Sequence, residues 1–262
     1  MQGGAEKSSS TEVEMQQKLD ELFERWGDAW EKYCSCNPEQ YGVTPPHAIV
    51  VDGFYPGYLD QSLKILYIGR ESHGIDGFNY INEFTNHYRS GVTGCDNINI
   101  NRDRFHKMLI QVAYGLVNHI DSWEEVLSAS EICKEKAIFS KISFAFMNLS
   151  KLSNMSGGTK VDWQLVETAL SMSITDRENF IFEQIEILNP DLIVIMNLSS
   201  DCLKRVFPST LKERKPGNFE YEIEIQGKKV FLLNPYHFSA CLSEKNKIYD
   251  PLRKACRDFF KR

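Results

Sequence analysis

The sequence predicts an α/β protein: a three-layer α/β/α sandwich around a central, mostly parallel sheet. Three observations carry that expectation. Ile65-Leu66-Tyr67-Ile68 and Leu192-Ile193-Val194-Ile195-Met196 are short, unbroken apolar runs rich in β-branched residues, the pattern of strands covered on both faces. Between them, around a third run from Ile142 to Met147, lie segments whose apolar residues recur at helical spacing, and such alternation suits the crossovers of a parallel sheet. The chain has 262 residues, 42% of them hydrophobic, which fits one large core better than two independent ones.

The first ten residues are Gly/Ser-rich and expected to be disordered (1–10), leaving a single domain over 11–262. It begins with a helical extension over about 11–35. Thr11 and Glu14 have the spacing of a capping box, and Leu19, Leu22, Phe23, Trp26 and Trp30 share one face. A turn-rich stretch leads to Ala48–Val51, expected to be extended, and an aromatic loop, Asp52 to Tyr58, delivers the chain to the central strand. A helix should run to about Arg89, and the Asn-rich stretch Ser90–Asn101 is a candidate flap. Helices are expected near 104–119, with Phe105, Met108, Leu109 and Val112 inward, and near 123–136, opened by Asp121 or Ser122. Two more fall near 161–172 and 177–188, the second stopped by Asn189-Pro190. A short helix over 197–207 follows the strand at 192–196. Glu220–Ile225 alternates like an edge strand, and Gln226-Gly227 turns it into Lys229–Leu233. A basic amphipathic helix over about 246–260 closes the chain.

The net charge of −6 supplies no overall positive field toward nucleic acid or anionic lipid. A polyanionic partner would need a local basic groove, for which Arg102, Arg104, Lys204, Arg205 and Lys212 to Lys215 are candidates. Seven scattered cysteines, with nothing like a signal peptide ahead of them, read as reduced thiols in a cytoplasmic protein. Cys34-Ser-Cys36 has no second pair at zinc-like spacing, so no metal site is expected. No apolar run is long enough to span a membrane, and there is neither a P-loop nor a Gly-x-Gly-x-x-Gly turn. No cofactor is expected, and the protein should be a monomer.

Function-capable residues gather where strands end. Gly69-Arg70-Glu71-Ser72-His73-Gly74 follows the first strand at once; Asn148 ends the second; Tyr236-His237-Phe238-Ser239-Ala240 follows the last. In open α/β sheets the ligand crevice forms beyond the carboxyl ends of the strands. A carboxylate can stabilise a cation or orient water, an imidazole can donate to developing negative charge, and an amide can both donate and accept. Each also has a structural role open to it: a solvated turn, a loop cap, a packed ring.

These segments, taken in order, resemble the motifs of the uracil-DNA glycosylase superfamily. Gly69-Arg70-Glu71 is similar to its first motif, with Ser72 and His73 where Pro and Tyr often follow. Asn148-Leu149-Ser150-Lys151 is similar to its Asn-Leu-x-Lys form, and Gln184 to Val194 to its helix leading into a buried strand. Tyr236-His237-Phe238-Ser239-Ala240 resembles the terminal Tyr-His-Pro-Ser-Ala, with Phe238 for proline. The resemblance covers about Lys64 to Leu242. It implies hydrolysis of the N-glycosidic bond of uracil or another damaged or modified base, with single-stranded or lesion-containing DNA as partner. It assigns catalytic roles to Glu71 and His237, and substrate binding to Gly69, Arg70, Ser72, His73, Phe78, Asn148 and Ser239, with Phe78 as the stacking platform. Ser153 and Phe180 fall near where the iron–sulfur branch has cysteines, so no cluster is expected. A non-catalytic nucleic-acid or nucleotide binding module, or a different hydrolase built on Glu71 and His237 or on Ser72 with His73, stays open.

Overall fold

A computed structural model of the protein describes residues 10–41, 48–93, 97–135, 138–157, 160–208, 211–215 and 219–261. The tail expected to be disordered lies, except for Ser10, outside the described residues. The architecture follows from which strands are covered on both faces. Strand β2 (Ile65–Gly69) is buried along its whole length, as are β5 (Ala145–Asn148) and β6 (Leu192–Ile195). Together with β9 (Lys228–Leu233) they form the parallel core of the sheet, in the order β5-β2-β6-β9. Leu66 lies beside Ala145, Ile65 beside Leu192, and Leu192 beside Phe231. The two clearest strands of the sequence are thus immediate neighbours.

Three antiparallel strands complete the seven-stranded sheet. Strand β1 (Gly53–Phe54) pairs with β5 at one edge, and β8 (Glu220–Ile225) followed by β7 (Lys212–Glu213) lies beyond β9 at the other. The alternating β8 is therefore not the edge strand; the short β7 covers it. Gln226 and Gly227, both at positive φ, form the two-residue turn that fixes the β8–β9 register. Ala48–Val51 does not form a strand, and only Val51 makes an isolated bridge, to Asn79.

Because successive strand residues point to opposite faces, the two faces bury separate cores. Ile65, Tyr67, Phe146 and Val194 face a layer made by α3 (Tyr80–Ser90), α4 (Arg104–Val117), α5 (Ala129–Lys134) and α9 (Asp250–Phe260). Leu66, Ile68, Met147 and Ile195 face α1 (Ser10–Cys36), α6 (Trp163–Ser173), α7 (Phe180–Leu188) and α8 (Ser200–Val206). The short helix α2 (Pro38–Tyr41) follows α1. The first helix is not an outer extension but part of a layer. Leu19, Leu22, Phe23, Trp26 and Trp30 are all buried, each contributing about 1.5–3 kcal/mol, and Trp26 donates from Nε1 to Ser173 Oγ at 2.9 Å. Asp191 gathers the start of the parallel core, accepting from Lys64 N at 2.8 Å and from Lys228 Nζ at 2.6 Å.

Local signals account for the remaining differences. The helix expected over 123–136 is only a single turn at Trp123–Glu125 and then α5, because the capping box of Ser128 and Glu131 starts a new helix. Within the expected flap, β3 (Val92–Thr93) and β4 (Ile98–Asn99) pair as a small hairpin; residues 94–96 lie outside the described residues. The last helix begins with a π-helical turn at Lys245–Tyr249. No helix among the described residues is long and apolar enough to cross a membrane.

Candidate functional site

At the carboxyl edge of the parallel core a cavity of about 640 Å³ opens between the ends of β2, β5 and β9. Its size is in the range of small-molecule sites. Gly69 is the last residue of β2 and Arg70, Glu71, Ser72 and His73 come from the loop after it, Asn148 from the last position of β5, and His237 and Ser239 from the loop after β9. Phe78 is the exception among the residues singled out from the sequence. It is 62% exposed and outside the cavity wall, because Gly77 adopts positive φ and the chain then sends Tyr80, not Phe78, inward. Aromatic faces come instead from Tyr80 and Phe84 of α3, Phe105 of α4 and Phe146 of β5. Tyr80 stacks on Phe146 at 4.6 Å and Phe105 on His237 at 5.5 Å.

Asn148 forms the floor. Its backbone N–H donates to Asp52 Oδ2 at 2.8 Å, and its carbonyl accepts from Lys151 Nζ at 2.9 Å. Behind it, Lys151 Nζ donates to both Asp52 oxygens at 2.6 and 2.7 Å, and Gln184 Nε2 donates to Asp52 Oδ1 at 2.7 Å. Lys151 and Asp52 side chains are 0% exposed. Burial pushes the ammonium pKa down and the paired carboxylate pushes it back up. This network fixes the floor peptide. On two of the residues that line the cavity, Asn148 Nδ2 and Ser72 Oγ are buried without a hydrogen-bond partner among the described residues. Orphaned polar atoms on a cavity wall are what a ligand would satisfy.

Gly69 is required here for space. A Cβ at this position would collide with Asn148 Oδ1 and press on the Phe146 ring. Gly69→Ala is expected to displace the Asn148 amide and lower the unfolding free energy by about 1–3 kcal/mol. Urea unfolding checks this; an unchanged midpoint would show that the two side chains move apart at no cost.

The Glu71 side chain is 2% exposed. Burial raises its carboxyl pKa; the Asp162 N–H, His73, Arg70 and Asn154 oppose that rise. One oxygen accepts from Asp162 N at 3.0 Å and lies 3.8 Å from His73 Nε2. Glu71 thereby ties the β2 loop to the start of α6. At His237, Ser239 N–H donates to Nδ1 at 3.3 Å, and Ser239 Oγ lies 2.7 Å from the same atom. With Nδ1 accepting, the neutral ring carries its proton on Nε2. Burial, then the nearby Arg70 and His73 charges, lower the His237 pKa to about 4, so at neutral pH the ring is an uncharged N–H donor.

A third imidazole, His106 of α4, was hidden in the sequence by its place on an apolar helix face. It lines the cavity, stacks on Phe84 at 4.4 Å, and its Nδ1 lies 2.7 Å from Tyr88 Oη. Asp103, which also lines the cavity, caps α4 by accepting from His106 N.

Three of the candidates for a basic groove are paired with acids. Arg104 pairs with Glu244, Arg205 with Glu167 and Lys215 with Glu220. None of these basic residues lines the cavity, whose cationic residue is Arg70. The six described cysteines are free thiols. Fold and cavity define an α/β protein with an aromatic-walled cavity, carrying several polar groups, at the carboxyl edge of its sheet. No family model and no curated protein matches the chain, so the chemistry rests on the site's own atoms.

Proposed function

We propose that this protein hydrolyses the N-glycosidic bond of a damaged or modified base in DNA, on a fold like that of the uracil-DNA glycosylase superfamily. One observation carries the proposal: three parallel strand ends bring an acid, an amide and a neutral imidazole, Glu71, Asn148 and His237, to one cavity. A base extruded into the cavity would lie among Tyr80, Phe105 and Phe146 and give the unpaired Asn148 Nδ2 a carbonyl. As the C1′–N bond breaks, the bonding pair leaves with the base, and the His237 Nε2–H donates to the oxygen where that charge collects. The Glu71 carboxylate stabilises the cationic sugar and orients the water whose oxygen attacks C1′. The water's second proton ends on the base or in solvent.

A second reading, a non-catalytic base or nucleotide binding module, is favoured by one specific pair of observations. A Glu71 oxygen already holds the Asp162 N–H, and Arg104, Arg205 and Lys215 are paired with acids. An assay on single-stranded and mismatched oligonucleotides carrying uracil, hypoxanthine and other lesions separates the two. Wild type should release base, and Glu71→Gln and His237→Ala should each lose roughly a hundredfold in rate. Binding of lesion-bearing DNA without release from any substrate would support the module instead.

A further inference from the structure

Beside the cavity, Trp163 opens α6 with its side chain 46% exposed, and the Arg70 guanidinium lies over its ring at 5.5 Å. The junction is rigidly held. Asp162 caps α6 through Leu165 N, while its own N–H donates to Glu71. Arg70 lines the cavity, and among the described residues no carboxylate lies within ion-pair distance of it. That sets it apart from Arg25, Arg104, Arg205 and Arg253, all held by acids. Met155, also largely exposed, continues the apolar lip of the cavity. A guanidinium lying over an indole keeps N–H groups for an oxyanion, and the half-exposed Trp163 offers aromatic surface to a flat partner.

We infer that Trp163 and Arg70 form a docking site for the nucleotide flanking the extruded base of single-stranded DNA, its base stacked on the indole and its phosphate on the guanidinium. The inference rests on the base-pocket reading above. Charge complementarity selects the occupant: a cation with no carboxylate at ion-pair distance among the described residues, beside an exposed aromatic ring, matches a base joined to a phosphate. Single strands are favoured because their bases reach an aromatic face without the few kcal/mol that unstacking a duplex costs.

The test is fluorescence anisotropy with a labelled single strand of about twelve nucleotides and the same sequence as a duplex, with the full chain. Trp163→Ala should raise the Kd about tenfold, while Trp163→Phe, which keeps an aromatic face, should stay within about threefold of wild type. Arg70→Gln should weaken binding and reduce the slope of log Kd against log salt by about 0.7. Intrinsic fluorescence should be quenched by the strand in wild type and markedly less in Trp163→Ala. Circular dichroism checks that the variants fold, as an exposed side chain at a helix start permits. Equal binding by Trp163→Ala and wild type, duplex bound as tightly as single strand, or no binding at all would each overturn the inference. Trp163-dependent binding without base release would retire only the hydrolase assignment. Base release with binding indifferent to Trp163 would retire only the docking site.

Discussion

Asp52→Ala is expected to lower the unfolding free energy by about 3–5 kcal/mol, the cost of leaving a buried charge without its partner. Lys151 Nζ has no solvent to turn to; its side chain is 0% exposed. Without Asp52 it would keep only the Asn148 carbonyl and the faces of Trp26 and Phe23, at 5.0 and 5.5 Å. Gln184 Nε2 and the Asn148 N–H would lose their acceptor in the same step. For a chain of this size the loss corresponds to a drop in Tm of roughly 10 °C. The double variant Asp52→Asn, Lys151→Met removes both charges together and should recover part of the loss, since breaking a buried pair costs more than replacing it. Urea unfolding followed by circular dichroism measures both. A loss below about 1 kcal/mol for Asp52→Ala would mean that water reaches the ammonium, and the floor of the site would then not depend on this network.

How much of this was legible in the sequence depends on whether the information was local. The strands Ile65–Ile68 and Leu192–Ile195 could be read because a strand covered on both faces needs an unbroken apolar run. Ala48–Val51 has a similar composition but makes only one bridge; a run of four apolar residues does not say whether a partner strand is free to receive it. The capping box Ser128–Glu131 was present as Ser-x-x-Glu, yet the apolar spacing on both sides of it suggested one continuous helix. At the site, Glu71, Asn148 and His237 were legible because each lies at the end of a strand or within a few residues beyond it. His106, Phe105 and Tyr80 were not, because a helix face turned toward a cavity carries the same pattern as one turned toward a core. The Asp52–Lys151 pair joins residues 99 positions apart, and nothing in either local segment names the other.

Lowering the pH from 7.5 to 5 should cost the protein on the order of 2 kcal/mol of stability through His237, and a similar amount through His106. Both rings have pKa values lowered from 6.5 to about 4, chiefly by burial; Arg70 and His73 add to the effect at His237, and at His106 the drop is deepened by His87 and opposed by Asp103. The sign follows from which state binds the proton. Between about 6.5 and 4 the unfolded chain protonates these histidines while the folded protein does not, so stability falls with pH through that window and levels off below 4. Glu71 acts in the opposite direction, because its raised pKa lets the folded state take up a proton first, but that contribution is common to the variants below. Urea unfolding at the two pH values, with wild type beside His106→Gln and His237→Gln, isolates each ring: each variant should lose about 2 kcal/mol less than wild type on acidification. Equal losses in all three proteins would place both histidines in contact with solvent. The same neutral state bears on function, because a ring that stays uncharged keeps Nδ1 accepting from Ser239 and Nε2–H free for the cavity. Affinity for a base-bearing strand, measured at constant salt, should therefore show no step from His237 between pH 8 and 5 and should change only near pH 4. A step near 6.5 that His237→Gln removes would instead make the imidazolium the form that meets the ligand.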